Sequence, residues 1–225
     1  MSCGGIKADW GGQESRMRII AGSAKGRVLR PVPGDSTRPI TDRVKSALFS
    51  ILESRDMIKG RRFLDLFGGT GAVGIEALSR GASEAVFCER DRRALHTLKD
   101  NLIAAGFQAR GVVVAGDAFD SLKQESFGGF DVIYVAPPQY QGIWLKALVA
   151  IDARPSLLSD VGLVIVQIFP KEWAEPVLQN LCRVDSRQYG STALHFFARR
   201  SSGPDSGHPS PPLHLGDCPS APSDG

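Results

Sequence analysis

A chain of 225 residues with 42% apolar and 8% aromatic content can form one sizeable α/β core, and it has no apolar run near the ~18 residues of a membrane span. Its net charge of +3 is uneven: residues 1–62 hold 13 Lys/Arg against 6 Asp/Glu, a balance of +7, so the remainder carries −4. The scattered Cys3, Cys88, Cys182 and Cys218 form no Cys-x-x-Cys pair, which argues against a zinc site or a disulfide framework and for a reducing cytoplasm.

Residues 1–16 are Gly-rich and polar without the apolar stretch of a signal peptide, so a disordered extension and no export are expected; Met17 is a candidate start codon. A basic unit over 17–58 follows. Arg18 to Arg30 reads as a β-hairpin turning at Gly/Ser/Lys, and Thr41 is placed to cap a helix running to about Leu52, with Asp42 favourable at its first turn. Val44, Leu48, Ile51 and Leu52 share one face of that helix, which should pack on the domain.

Over residues 59–200, β-rich runs at Phe63–Phe67, Ala85–Glu89, Gly111–Ala115, Asp131–Val135 and Leu163–Ile168 alternate with helical stretches at Ala72–Ser79, Arg92–Ala105, Phe119–Gln124 and Ile143–Ile151. Repeated βα units predict a parallel sheet covered on both faces. Lys171–Leu181 then reads as a helix. Arg183–Tyr189 and Ala193–Ala198 read as strands joined by a turn too short for anything but antiparallel pairing. Residues 201–225, with six Pro, six Ser and four Gly, cannot bury enough surface to offset ordering and read as a disordered tail.

Two runs carry the chemistry. Gly69-Thr-Gly-Ala-Val-Gly74 is a G-x-G-x-x-G that follows a strand and opens a helix, with Glu89 ending the next strand, where its carboxylate can accept ribose hydroxyls. Alone it fits a dinucleotide as well as S-adenosylmethionine (SAM). The second run, Val135-Ala-Pro-Pro-Gln-Tyr140, ends a strand abruptly, because proline cannot donate to a ladder. It could be a simple turn. Its place beside the first strand, at the carboxyl edge where open α/β sheets hold ligands, favours a site.

With Asp65 inside the first strand and Asp117 after the third, the two runs resemble the cofactor loop and the Asp/Asn-Pro-Pro-Tyr/Phe motif of SAM-dependent amino-methyltransferases. The resemblance implies the class I fold: a doubly wound, Rossmann-like, seven-stranded α/β sheet of five parallel strands plus a C-terminal antiparallel hairpin. It assigns Asp65 to the methionine ammonium and Asp117 to the adenine amine. It extends the cofactor contacts to Phe67, Gly68, Gly69, Gly71, Glu89, Arg90 and Ala118. In the second motif Ala136 stands where the Asp or Asn acceptor is expected, and the aromatic arrives one residue late. The Pro137 carbonyl then carries recognition of the amine, with Tyr140 as the ring stacking on the base and Gln139 as a possible amide substitute.

Further runs, above all Arg38-Pro-Ile-Thr-Asp-Arg43, together with Arg18-Ile-Ile-Ala-Gly22 and Glu76-Ala-Leu-Ser-Arg-Gly-Ala82, are similar to the bacterial 16S ribosomal RNA guanine-N2 methyltransferase family over about residues 17–200. That resemblance implies a monomeric, cytoplasmic enzyme methylating a guanine N2 amine of small-subunit RNA within an assembled or partly assembled particle, with no metal and no membrane. Arg18, Lys25, Arg27, Arg30, Arg38, Arg43 and Lys45 would form a basic surface beside the catalytic edge. Arg38 and Thr41 are candidates for the cofactor mouth. Two other readings stay open: a DNA amino-methyltransferase, for which no added target-recognition domain is evident, and a SAM- and RNA-binding protein weakened in catalysis by Ala136. His96 and His195 read as structural.

Overall fold

The computed structural model describes residues 17–34 and 40–200. The expected disordered extension and tail, and Arg38, lie outside the described residues. A helix α1 (Asp42–Ser54) precedes an alternating series: β1 (Arg62–Asp65), α2 (Ala72–Ser79), β2 (Glu84–Glu89), α3 (Arg92–Ala105), β3 (Gly111–Ala115), α4 (Ala118–Lys123), β4 (Phe130–Val135), α5 (Ile143–Asp152) and β5 (Leu158–Ile168). The hairpin β6 (Leu181–Tyr189) and β7 (Thr192–Arg199) closes the chain.

The seven strands order as β3-β2-β1-β4-β5-β7-β6, with β1 to β5 parallel and β7 antiparallel to both β5 and β6. Strand order therefore reverses between β1 and β4, which opens a crevice at their carboxyl ends. Residues alternating along each strand feed two apolar layers: α1, α2 and α3 cover the face bearing Phe63, Val132 and Ile165, and α4 and α5 cover the face bearing Leu64, Ile133 and Val164.

Local chemistry starts and stops these helices, at Thr41 as expected. The Thr41 hydroxyl accepts the Val44 N–H, and Asp91 caps α3 by accepting from Arg93 and Ala94. Gly106, at φ +77°, ends α3 in the left-handed conformation. On α1, Phe49 and Lys45 are buried with Val44, Leu48 and Leu52, while Ile51 is half-buried. The buried face is wider than the expected stripe because the N-terminal segment covers its flank.

Two elements depart from expectation. Residues 171–181 form no helix: a 3-10 turn at Pro170–Glu172 leads into irregular chain up to β6. Pro176 removes a helix donor and disfavours helical backbone at Glu175, and the buried Asp152 carboxylate instead accepts the N–H groups of Gln179, Asn180 and Leu181. Trp173 meanwhile stacks on His195 and Trp144, with centroids 3.9 and 5.5 Å away.

The expected hairpin at Arg18–Arg30 is reduced to one bridge, Arg18 to Val28. Its two arms still exchange backbone bonds, Ile19 N–H to the Arg27 carbonyl, Gly26 N–H to the Ile19 carbonyl and Leu29 N–H to the Met17 carbonyl, but most of its remaining partners lie on helices. Ile20 and Ala21 N–H groups donate to the Glu76 carboxylate, Ala24 N–H donates to the Ser79 hydroxyl, and Asn101 both accepts from Arg30 N–H and donates to the Arg30 carbonyl. Gly22, at φ +83°, lies so close to α2 that a Cβ would sit 1.9 Å from the Ser79 carbonyl oxygen. Gly22→Ala is therefore expected to cost about 2–4 kcal/mol, combining left-handed strain with backbone overlap; urea unfolding of the variant reads this directly.

Candidate active site

The carboxyl ends of β1, β2 and β3 and the segment after β4 line an open cleft of about 100 Å³. Phe67, Glu89, Arg90, Asp117 and Ala118 line it together with Pro138 and Ile143, whereas Gly68, Gly69, Gly71, Pro137 and Tyr140 are not among its lining residues. The glycine turn adjoins it through Glu89, which accepts the Gly69 N–H. Gly71 starts α2 at φ +79°, where a Cβ would lie 2.4 Å from a Leu98 methyl, and a Cβ on Gly74 would lie 2.2 Å from the Phe87 ring.

Glu89 holds this turn in place. One carboxylate oxygen accepts Gly69 N–H at 2.8 Å, and the other accepts Arg90 and Asp91 N–H, both at 2.8 Å. A carboxylate offers about four acceptor positions, so one remains for a ligand hydroxyl without releasing the loop. Asp117 is similarly divided: Oδ1 caps α4 through Phe119 N–H, and Oδ2 lies 3.7 Å from the Arg90 guanidinium.

Asp65 does not line the cleft. It is 2% exposed at the end of β1, and it accepts Gly74 N–H at 3.3 Å. Burial, aided by the nearby Glu89 charge and opposed by the Gly74 and Phe67 N–H groups, raises its pKa from 3.8 to about 7. Such a group favours a neighbouring cation strongly.

In the Pro-Pro run, Ala136 is half-buried against the α1–α3 face and Pro137 is buried, while Gln139 is exposed. Tyr140 adopts φ +60° and is 71% exposed. Its N–H donates to Glu172 at 2.7 Å, and its ring stacks on Phe169 at 5.4 Å and 19°. A non-glycine residue in this backbone region costs roughly 1–2 kcal/mol, so the Glu172 bond and the Phe169 stack are what hold the late aromatic in place. Neither Glu172 nor Phe169 stood out in the sequence: Glu172 lies in the stretch that reads as a helix there, and Phe169 in the short link before it.

The basic residues are not equivalent. Arg18 pairs with Asp42 and Arg30 with Asp100, both at 3.0 Å, and Arg27 donates to the Ala104 carbonyl at 2.8 Å. Arg18, Lys25, Arg27, Arg30 and Arg43 keep exposed side chains. Lys45 is a correction: it is buried, donating to the Arg18 carbonyl at 2.6 Å and lying 3.5 Å from Glu76, so it contributes no surface charge. Thr41 is exposed at the start of α1, where it acts as the cap. Among the described residues no three His, Cys, Asp or Glu side chains converge as metal ligands. His195 accepts or donates at 3.0 Å with Ser186, stacks on Trp173, and is held neutral by burial, which lowers its pKa to about 4.

A reversed strand order with a glycine turn at the end of β1 defines the class: the Rossmann-like fold of SAM-dependent methyltransferases. Residues 17–198 match the family model described as "Conserved hypothetical protein 95", and the chain belongs to that family. The chain is 36% identical over 188 residues to "Putative rRNA methyltransferase YlbH" of Bacillus subtilis (strain 168), covering 82% of this chain and 100% of that protein. It is 34% identical over 191 residues to "Ribosomal RNA small subunit methyltransferase D" of Escherichia coli (strain K12), covering 84% and 92%. A solved Escherichia coli structure titled "Putative methyltransferase yhhF" superposes with a TM-score of 0.72 at 31% identity, covering 83% of this chain and 99% of that one.

Proposed function

We propose that this protein transfers a methyl group from SAM to the exocyclic N2 amine of a guanine in small-subunit ribosomal RNA. The observation that carries the reading is the cleft shared by Glu89, which holds the glycine turn through Gly69 N–H, and Pro138 of the Pro-Pro run, where the sheet reverses order. The names of the Escherichia coli and Bacillus subtilis relatives support ribosomal RNA as the substrate class.

The residues present fit the cofactor. An oriented Glu89 acceptor for ribose, Asp117 in the cleft wall for the adenine amine and the buried Asp65 carboxylate bonded to Gly74 N–H for an ammonium meet the demands of its three parts. When bound, SAM supplies an electrophilic methyl group: the guanine amine takes the methyl, the breaking bond's electron pair stays on sulfur, and the amine's proton passes to water. The chain's own task is to hold that amine in line, since its lone pair is delocalised into the ring. The Pro137 carbonyl accepts one amine hydrogen and the exposed Tyr140 ring carries the base. Arg18, Lys25, Arg27, Arg30, Arg38 and Arg43 meet phosphates around the target loop, and an unpaired loop lowers the cost of extruding the base. The enzyme works as a cytoplasmic monomer on an assembled or partly assembled particle.

Purified protein given tritiated SAM and undermethylated small subunits should label N2-methylguanine and leave plasmid DNA unlabelled; absence of that nucleoside overturns the reading. Tyr140→Ala should lower kcat about tenfold or more while SAM affinity stays within about twofold, because the lost stack is worth 1–3 kcal/mol on the base alone. Ala136 favours one other reading, a protein that binds SAM and RNA without turnover. Calorimetric SAM binding with no labelled product would establish it.

A further inference from the structure

Ala136 removes the side-chain acceptor from the Pro-Pro run, and the neighbouring strand offers another. In the β4–β5 ladder Tyr134 pairs with Ile165 and Val135 with Val166, so the next step sets position 136 beside Gln167. Tyr134, Ala136 and Ile165 belong to the α1–α3 face, and the two-residue period puts Gln167 on the same face. The side chains agree: the Tyr134 hydroxyl donates to Gln167 Oε1 at 2.5 Å. Gln167 is half-buried and is the one polar side chain in the run Leu163–Ile168.

We propose that Gln167 supplies the amine acceptor that Ala136 lacks, with Tyr134 as the positioning residue that locks its amide. The inference rests on the reading of the protein as a guanine-N2 methyltransferase. An amide oxygen has two lone pairs and Tyr134 engages one, leaving the other for an N2 hydrogen and the amide N–H groups for the adjacent ring nitrogen N3. This donor–acceptor match is the kind that amide side chains make with base edges. Tyr134, 2% exposed, keeps its hydroxyl hydrogen because burial, together with the nearby Asp65 charge, raises its pKa well above the ordinary phenol value. It is therefore a donor at every working pH, and it turns the amide oxygen rather than the nitrogen toward itself. An alanine at 136 offers no acceptor beside this amide; an aspartate there would supply one.

The test compares wild type, Gln167→Leu, Tyr134→Phe and the pair Ala136→Asp with Gln167→Leu, each assayed with undermethylated small subunits and labelled SAM. Gln167→Leu should lower kcat about tenfold to a hundredfold with SAM affinity by calorimetry unchanged within about twofold. Tyr134→Phe should lower kcat by a smaller factor, about threefold to tenfold, at unchanged KM. Ala136→Asp added to Gln167→Leu should recover turnover, which a merely structural role for Gln167 does not predict. Because Gln167→Leu strands the Tyr134 hydroxyl, the double variant Tyr134→Phe with Gln167→Leu, which removes both partners, is assayed too and should show the same kcat loss in a folded protein. A labelling wild type whose Gln167→Leu and double variants keep kcat within about twofold overturns this inference and leaves the proposed function standing. Failure of Ala136→Asp to recover turnover also overturns it. A wild type that labels no guanine overturns the function and this inference together.

Discussion

Glu76→Gln is expected to lower the stability of the fold by about 3–5 kcal/mol, the usual cost of removing one partner from a buried ionic cluster. Glu76 is fully buried on α2, and its carboxylate serves four donors. Oε2 accepts Ile20 N–H at 2.7 Å and faces Lys45 at 3.5 Å; Oε1 accepts Ala21 N–H at 3.0 Å and Arg80 Nε at 2.8 Å. Glutamine keeps nearly the same shape yet turns one of these oxygens into a second donor. It also strips counter-charge from Lys45 and Arg80, whose side chains are 1% and 7% exposed.

The loss should depend on pH in a defined direction. Burial already lowers the Lys45 pKa, against the attraction of Glu76. In the variant that attraction is gone, so the folded state gives up the Lys45 proton more readily than the unfolded chain does. Stability of the variant should then rise with pH toward the ordinary lysine value near 10.5, and fall as pH drops through the lowered one. Urea unfolding at neutral and alkaline pH measures both the deficit and its recovery; equal deficits at the two pH values would show that Lys45 does not titrate there.

A functional consequence travels with the stability loss. The segment that Glu76 holds also touches the cofactor turn: Met17 sulfur accepts the Thr70 hydroxyl at 3.3 Å, and Asn101 donates to the Thr70 carbonyl while bonded to Arg30. Glu76→Gln should therefore weaken SAM binding although it lies outside the cleft.

Asp65→Asn is expected to separate stability from cofactor affinity. A carboxyl that titrates at 3.8 in the unfolded chain and about 7 in the fold is neutral in both states below 3.8 and carries no penalty there. As pH rises the unfolded chain releases its proton first, and folding loses about 1.4 kcal/mol per pH unit until the folded group ionises near 7. Asparagine keeps an oxygen for the Gly74 and Phe67 N–H groups and never ionises, so the variant should be more stable than wild type at pH 8 by on the order of 2–4 kcal/mol.

Cofactor binding should move the other way. Asp65 complements an ammonium only when ionised, so wild-type SAM affinity should rise about tenfold from pH 5.5 to 7 and then level. Asp65→Asn should bind more weakly and without that pH dependence. Calorimetric titrations at several pH values, with thermal unfolding alongside, check both halves. Unchanged affinity in the variant would remove Asp65 from the cofactor's surroundings.

Much of this fold is legible in residue order. Thr41, Asp91 and Gly106 mark helix ends through local hydrogen bonding and backbone preference, and the apolar periods of β1 to β5 announce a parallel sheet. The region after β5 is not legible in the same way. Glu172, Trp173 and Leu181 carry helix-like spacing, but Pro176 and the distant Asp152 carboxylate redirect their backbone. Arg18 to Arg30 keeps cross-arm backbone bonds but forms no regular ladder, because further partners lie on α2 and α3, 55 to 71 residues away in sequence.

The sequence by itself determined the strand segments, the glycine turn and the position of the Pro-Pro run, because each depends on neighbours a few residues apart. Only the tertiary structure decided what each charge does. It took Lys45 from the surface into a buried cluster with Glu76, buried Asp65 against Gly74 N–H with a raised pKa, and joined Gln167 to Tyr134 across the β4–β5 pair. Burial and long-range hydrogen bonding set the state of a polar side chain, and both come from segments that meet only when the chain folds.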